Sequence, residues 1–267
     1  MTLVFFLFLV HLALGLLATL PFVPESAGRK YFKFCSASAA FMTTAALWLV
    51  VRRFGWTGGT PGAPGGSASP WVVGAVSLSL AAMVLYNRAR HFGWATLQGP
   101  FLAVALVAGL VSVPLCAPAD ERVLLSMTDL TSILLLGSAA AAMVLGHWYL
   151  VVLDLPIAAL RRLTILLIVS LGLRSLVVAL ALAGPVHAGL EDARLVAAGL
   201  WSPDGVFVWM RVLFGIVGPL SLLWFIWKTV EIRSTQSATG ILYVQLFLVL
   251  AGELLAKYLR VAAGFAL

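Results

Sequence analysis

The sequence predicts an all-α fold: a polytopic transmembrane bundle of about eight helices. Of its 267 residues, 62% are hydrophobic and only 10% charged. Its mean hydropathy is +1.07. The apolar residues are grouped into segments about as long as a bilayer crossing. A soluble domain is nearer ~45–50% apolar and ~25% charged, so this excess exceeds what a buried core can absorb and calls for lipid as solvent. Helices are the expected crossings because hydrocarbon cannot satisfy exposed backbone groups, and no ten-residue alternation suggests a barrel.

A helix needs ~20 apolar residues to cross the hydrocarbon core. Segments 2–23, 34–52, 70–88, 99–117, 129–153, 163–184, 205–227 and 238–260 meet that test. The first has no basic residues before it and is too long for a signal-peptide core, so it reads as a retained crossing. Breaks fall at Gly/Ser/Pro-rich 55–70, at Pro118, at Pro156 and at Pro185. Within the seventh segment, Gly215, Gly218 and Pro219 predict a kink. In the fifth, Gly137, Ala141, Ala142 and Gly146 let a neighbouring helix approach closely.

Basic residues set the orientation. Arg29, Lys30 and Lys33, then Arg88 and Arg90, Arg161 and Arg162, and Lys228 and Arg233 occupy the odd-numbered loops. Arg52, Arg53, Arg122 and Arg194 occupy the even ones, the last two beside Asp120, Glu121, Glu191 and Asp192. The odd loops are therefore expected in the cytoplasm, with both termini on the outer side of the cytoplasmic membrane. Within Pro185–Asp204, Leu190, Leu195, Val196, Leu200 and Trp201 suit a short interfacial helix. Cys35 and Cys116 fall at opposite ends of their helices, so no disulfide is expected. The net charge of +7 is spread over helix ends rather than gathered into a basic, aromatic-interleaved patch. Nucleic acid is not an expected partner.

An even helix count is compatible with a 4+4 parallel repeat, halves 1–122 and 123–267, within one membrane domain. His11, Pro21 and Arg29-Lys30 in the first half resemble His147, Pro156 and Arg161-Arg162 in the second. That spacing places the two histidines at similar depth, as bis-imidazole haem b ligation requires.

Charged groups at the centre of a membrane helix cost ~2.5–3.5 kcal/mol each, so they need a reason. Arg174, Arg211, Glu253 and Lys257 are the candidates for a proton or ion relay. Arg211 and Glu253 reach comparable depth on consecutive helices, and Glu253 and Lys257 are i,i+4 neighbours. The plainer reading is a packing salt bridge, with Lys257 extended to the surface. At the opposite membrane edge, His147, Tyr149, Asp154, Gln236, Thr239 and Tyr243 have the chemistry of a quinone pocket: hydrogen-bonding and proton-exchanging groups in an amphipathic setting.

Three functions fit these residues. The first is a membrane subunit of a respiratory or quinone-linked electron-transfer system, partnered by other subunits. The eight-helix layout is similar to the quinone-reactive membrane subunits of the polysulfide-reductase type. The similarity is of layout alone, since none of that family's motifs is matched residue by residue. The second is a transporter or proton-conducting protein using Glu253, Arg174 and Arg211. The third is a structural or assembly subunit of a membrane complex. No metal-binding motif, nucleophile elbow, P-loop or dinucleotide fingerprint occurs.

Overall fold

A computed structural model of the protein describes residues 1–54, 70–113, 122–152, 155–188 and 205–263. The described residues are helical, with short connecting turns and no strand among them. The helices are α1 (Thr2–Ala18), α2 (Gly28–Phe54), α3 (Pro70–Phe92), α4 (Ala95–Ser112), α5 (Arg122–Val151), α6 (Ala158–Ala188), α7 (Gly205–Val212), α8 (Gly218–Glu231) and α9 (Thr235–Ala263). A π-helical turn, Leu213–Val217, joins α7 to α8 into one crossing. Eight crossings result, each long and apolar enough to span a membrane.

Several boundaries differ from the hydropathy segments. α1 ends at Ala18 and continues as 3-10 turns at Leu20–Phe22 and Glu25–Ala27. α2, α5 and α6 extend beyond their apolar stretches, because interfacial polar residues can carry a helix past the hydrocarbon. Pro185 does not stop α6, which runs on to Ala188. The kink expected in the seventh crossing takes the form of the π turn. Pro219 has no N–H and its ring crowds the preceding turn, so the helix widens: the Gly218 N–H bonds to the Leu213 carbonyl, five residues back. The interfacial helix expected in 185–204 and the Gly/Ser/Pro-rich loop lie mostly outside the described residues. Cys116 lies outside them too, while Cys35 is buried.

Exposed Phe41, Trp48, Trp71, Trp224 and Phe247 cover the bundle's outside, as lipid contact requires. Neighbour order is the same in both halves. α1 packs on α2, α2 on α3, α3 on α4, and α4 back on α1. Likewise α5 packs on α6, α6 on α8, α8 on α9, and α9 back on α5. The halves meet mainly through α1, which packs on both α5 and α9.

α1 and α5 run parallel and cross at Gly15 and Gly137, where a Cβ on either residue would fall inside the other's backbone. Gly146, farther along α5, meets Thr239 and Leu242 of α9. The small residues of α5 thus serve two neighbours, and α5 is the central helix of the bundle.

This crossing corrects the sequence-based register of the repeat. His11 lies beside Ser132, and His147 is fifteen residues farther along α5. At 1.5 Å per residue the two histidines differ in depth by about 22 Å, so they cannot ligate one haem iron. Similar His-to-Pro spacing does not give equal depth, because α1 is 17 residues long and α5 is 30.

Candidate functional site

On α5, Thr128, Asp129 and Ser132 form a polar stripe at helical spacing in an otherwise apolar run. On α9, Glu253, Lys257 and Arg260 do the same. The two helices are antiparallel, so the stripes meet, and the half of the bundle bearing both termini encloses a charged network. α6 adds Arg174, α7 adds Arg211, and α1 adds His11.

Glu253 is at its centre. Its Oε1 accepts from Arg174 Nε at 2.9 Å and from Arg211 Nη2 at 2.9 Å. Its Oε2 accepts from Ser132 Oγ at 2.6 Å and from Arg174 Nη2 at 3.3 Å. Arg174 Nη1 also donates to the Thr128 carbonyl at 3.1 Å. Glu253, Arg174 and Arg211 have no exposed side-chain surface.

Ser132 links this group to a second one. Lys257 Nζ donates to Ser132 Oγ at 3.1 Å and to Asp129 Oδ1 at 3.3 Å. Arg260 Nη1 donates to both Asp129 oxygens, at 2.6 and 2.8 Å. His11 completes the group, with Nδ1 3.4 Å from Ser132 Oγ and Nε2 3.8 Å from Asp129 Oδ1. The chain Glu253–Ser132–Lys257–Asp129–Arg260 is continuous, and its last member is 12% exposed.

The expected Arg211–Glu253 pair is therefore formed, and Arg174 joins it. Lys257 corrects the sequence reading. It neither pairs with Glu253 along its own helix nor reaches the surface: it is 1% exposed and turned to Asp129 across the helix interface. An interhelical carboxylate is a closer partner here than one on the same face of α9.

Sequence reasoning missed Asp129, Ser132, Arg260 and the role of His11. Asp129 opens the fifth hydropathy segment, where a charge reads as an ordinary helix end. The available signal was the Thr128-Asp129 and Ser132 spacing on one face.

The seventh crossing approaches this network closely. Gly215, in the π turn, abuts Gly252, the neighbour of Glu253, and a Cβ on Gly252 would fall onto the Gly215 backbone. Arg211 Nη1 lies against Gly215, and neither Nη1 nor Nε has a hydrogen-bond partner among the described residues. Farther along α9, fully buried Gln245 likewise has no partner for either side-chain amide atom.

At the other end the five described quinone-type candidates do not line one pocket. His147 Nδ1 and Tyr243 Oη share a hydrogen bond of 3.0 Å on the exposed surface. Tyr149 turns inward instead, donating to the Pro156 carbonyl at 2.6 Å and tying α5 to the turn before α6. Thr239 donates to its own helix at Thr235 and packs on Gly146, while Gln236 is exposed. Asp154 lies outside the described residues. A recess of about 580 Å3 does exist here, but of the five described candidates it includes only Tyr149, beside Pro156, Arg233 and Thr235. Among the described residues no group of three or more His, Cys, Asp or Glu side chains could hold a metal ion.

Fold and site together define a class: a multi-pass helical membrane protein with a charged network buried among its crossings. The chain matches no known protein-family model, and comparison with curated proteins finds no match.

Proposed function

We propose that this protein moves protons within the cytoplasmic membrane through the Glu253–Ser132–Lys257–Asp129 chain, with both termini on the outer side. The observation that carries the reading is the continuity of that chain. Carboxylate, hydroxyl, ammonium and carboxylate follow one another at 2.6, 3.1 and 3.3 Å, from the fully buried Glu253 toward the partly exposed Arg260. Each member can donate or accept in turn. The Ser132 hydroxyl can pass its proton to Glu253 while taking one from Lys257, and Lys257 is then reprotonated through Asp129 from the terminus-bearing side.

A purely structural lock needs one ion pair, and buried pairs are weak stabilisers because desolvation offsets their attraction. Keeping six charged side chains in hydrocarbon favours a working role. The position of Arg211 supports a gate: among the described residues it is held by a single hydrogen bond, next to the π turn. Buried Gln245 supports an approach from the other side, since such amides are commonly satisfied by internal water.

The test is proton flux in liposomes under an imposed potassium diffusion potential. Flux is expected in the wild type and is lost in Glu253→Gln and in Ser132→Ala, the latter with all charges retained. Flux that persists in a correctly folded Ser132→Ala protein sinks the reading.

The His147–Tyr243 hydrogen bond favours a second reading, a membrane subunit of a quinone-linked electron-transfer complex. An imidazole and a phenol held 3.0 Å apart on the exposed surface at the membrane edge match what a quinone carbonyl needs. Photolabelling by a quinone analogue, undiminished in His147→Ala and Tyr243→Phe, counts against it.

A further inference from the structure

We infer that the groove between α2 and α3, at the end opposite the termini, binds one anionic phospholipid. Lys33, Ala37 and Ala40 follow one face of α2, and Val84, Asn87, Arg88 and His91 follow one face of α3; together they line a recess of about 520 Å3.

Charge is the first argument. Lys33 Nζ lies 2.9 Å from His91 Nδ1, and its only other neighbour in the recess able to carry charge is Arg88, also a cation. The described carboxylates at this end are taken elsewhere. Glu25 is held by Arg90 at 3.1 Å, and Glu231 by Lys228 at 2.8 Å. Among the described residues, then, no carboxylate pairs with Lys33 or Arg88. Asn87 adds a neutral polar group to the lining and is tied to α2 through Ser36 Oγ, 2.7 Å from its Oδ1.

Shape is the second argument. From Lys33 to Ala40 the groove rises about 10 Å at the helical pitch, its wall changing from cationic to small and apolar. A phosphate ester at the rim with the first methylenes of an acyl chain above it matches that gradient. A free phosphate uses only the rim, and a purely acidic protein segment leaves the Ala37, Ala40 and Val84 wall unfilled. Cationic pockets at the ends of membrane helices are a recurrent way of holding anionic headgroups. A basic cluster serving orientation alone has no preference among lipids and needs no groove.

The test uses the full chain, purified in detergent and titrated with phosphatidylglycerol or phosphatidylcholine under native mass spectrometry, with thermal stability checked for each variant. Phosphatidylglycerol is expected to bind at least several-fold more tightly than phosphatidylcholine. The Lys33→Gln/Arg88→Gln double variant is expected to lose that preference, and Ala40→Trp, which fills the groove and keeps the charges, to weaken phosphatidylglycerol binding about tenfold. Arg161→Gln/Arg162→Gln, basic residues outside the groove, retain the wild-type preference. Equal binding of the two lipids, an unaffected Ala40→Trp protein, or complete displacement by millimolar inorganic phosphate each overturns the proposal.

Discussion

The clearest mechanical consequence of the buried network concerns the order in which its members matter. Removing Glu253 leaves two guanidiniums, Arg174 and Arg211, buried in one site without the carboxylate that holds them. Removing Arg211 deletes one hydrogen bond and leaves Glu253 with Arg174 and Ser132. Arg174 falls between, since besides its two bonds to Glu253 it donates to the Thr128 carbonyl and the Thr131 hydroxyl. Breaking a buried ion pair from one side costs about 3–5 kcal/mol, much of it from stranding the remaining charge. Glu253→Gln is therefore expected at that level, which at roughly 2–4 °C per kcal/mol lowers the melting temperature by about 6–20 °C. Arg211→Met is expected to cost about 1–3 kcal/mol, in the range of a lost hydrogen bond to a charged group, and Arg174→Met an intermediate amount. The nine tryptophans allow thermal scanning by intrinsic fluorescence in detergent. A double variant, Glu253→Gln/Arg211→Met, is expected to be more stable than Glu253→Gln alone, because it removes one stranded cation. The reasoning fails if Arg211→Met destabilises as much as Glu253→Gln, or if the double variant is no better than the single one.

Three further outcomes follow from particular contacts. Gly137→Leu drives a side chain into the Gly15 backbone and is expected to cost upwards of 3 kcal/mol, whereas Gly172→Ala, with open space around it, is neutral or stabilising by up to ~1 kcal/mol; thermal scans distinguish them. Ser132→Ala removes a hydroxyl that bridges Glu253 and Lys257, so it is expected to cost only ~1–2 kcal/mol yet reduce liposome proton flux at least tenfold. Gln245→Leu replaces an amide without a partner among the described residues by an apolar side chain of comparable size, and is expected to raise stability by ~1–2 kcal/mol while lowering flux. A stability loss in that variant would mean that the amide has a strong partner.

Much of the site's chemistry was legible before its geometry. Arg174, Arg211, Glu253 and Lys257 stand out in the sequence because charge in an apolar segment is conspicuous, and the structure brings them into one network. Asp129 and Arg260 did not stand out, because each sits near the end of an apolar window, where charge looks ordinary. Their burial comes from helices that extend past the hydropathy segments and from neighbours that cover them. At the other end, His147, Tyr149, Gln236, Thr239 and Tyr243 suggest a pocket in the sequence because each falls near a helix end on the same side. Rotation about the helix axes separates them, turning Tyr149 and Thr239 inward and Gln236 outward.

The sequence by itself determined that the chain folds as eight apolar helices, because hydrocarbon admits only helices or closed barrels and the segments lack a barrel's alternation. It also determined which crossings carry ionisable groups. Only the tertiary structure decided which charges meet. Partnership depends on axial register and rotation, and these are set by close backbone crossings such as Gly15 on Gly137 and Gly215 on Gly252. The Gly15–Gly137 crossing put His11 beside Asp129 rather than level with His147, and the meeting of α5 with α9 turned Lys257 from its own helix to Asp129 on the next.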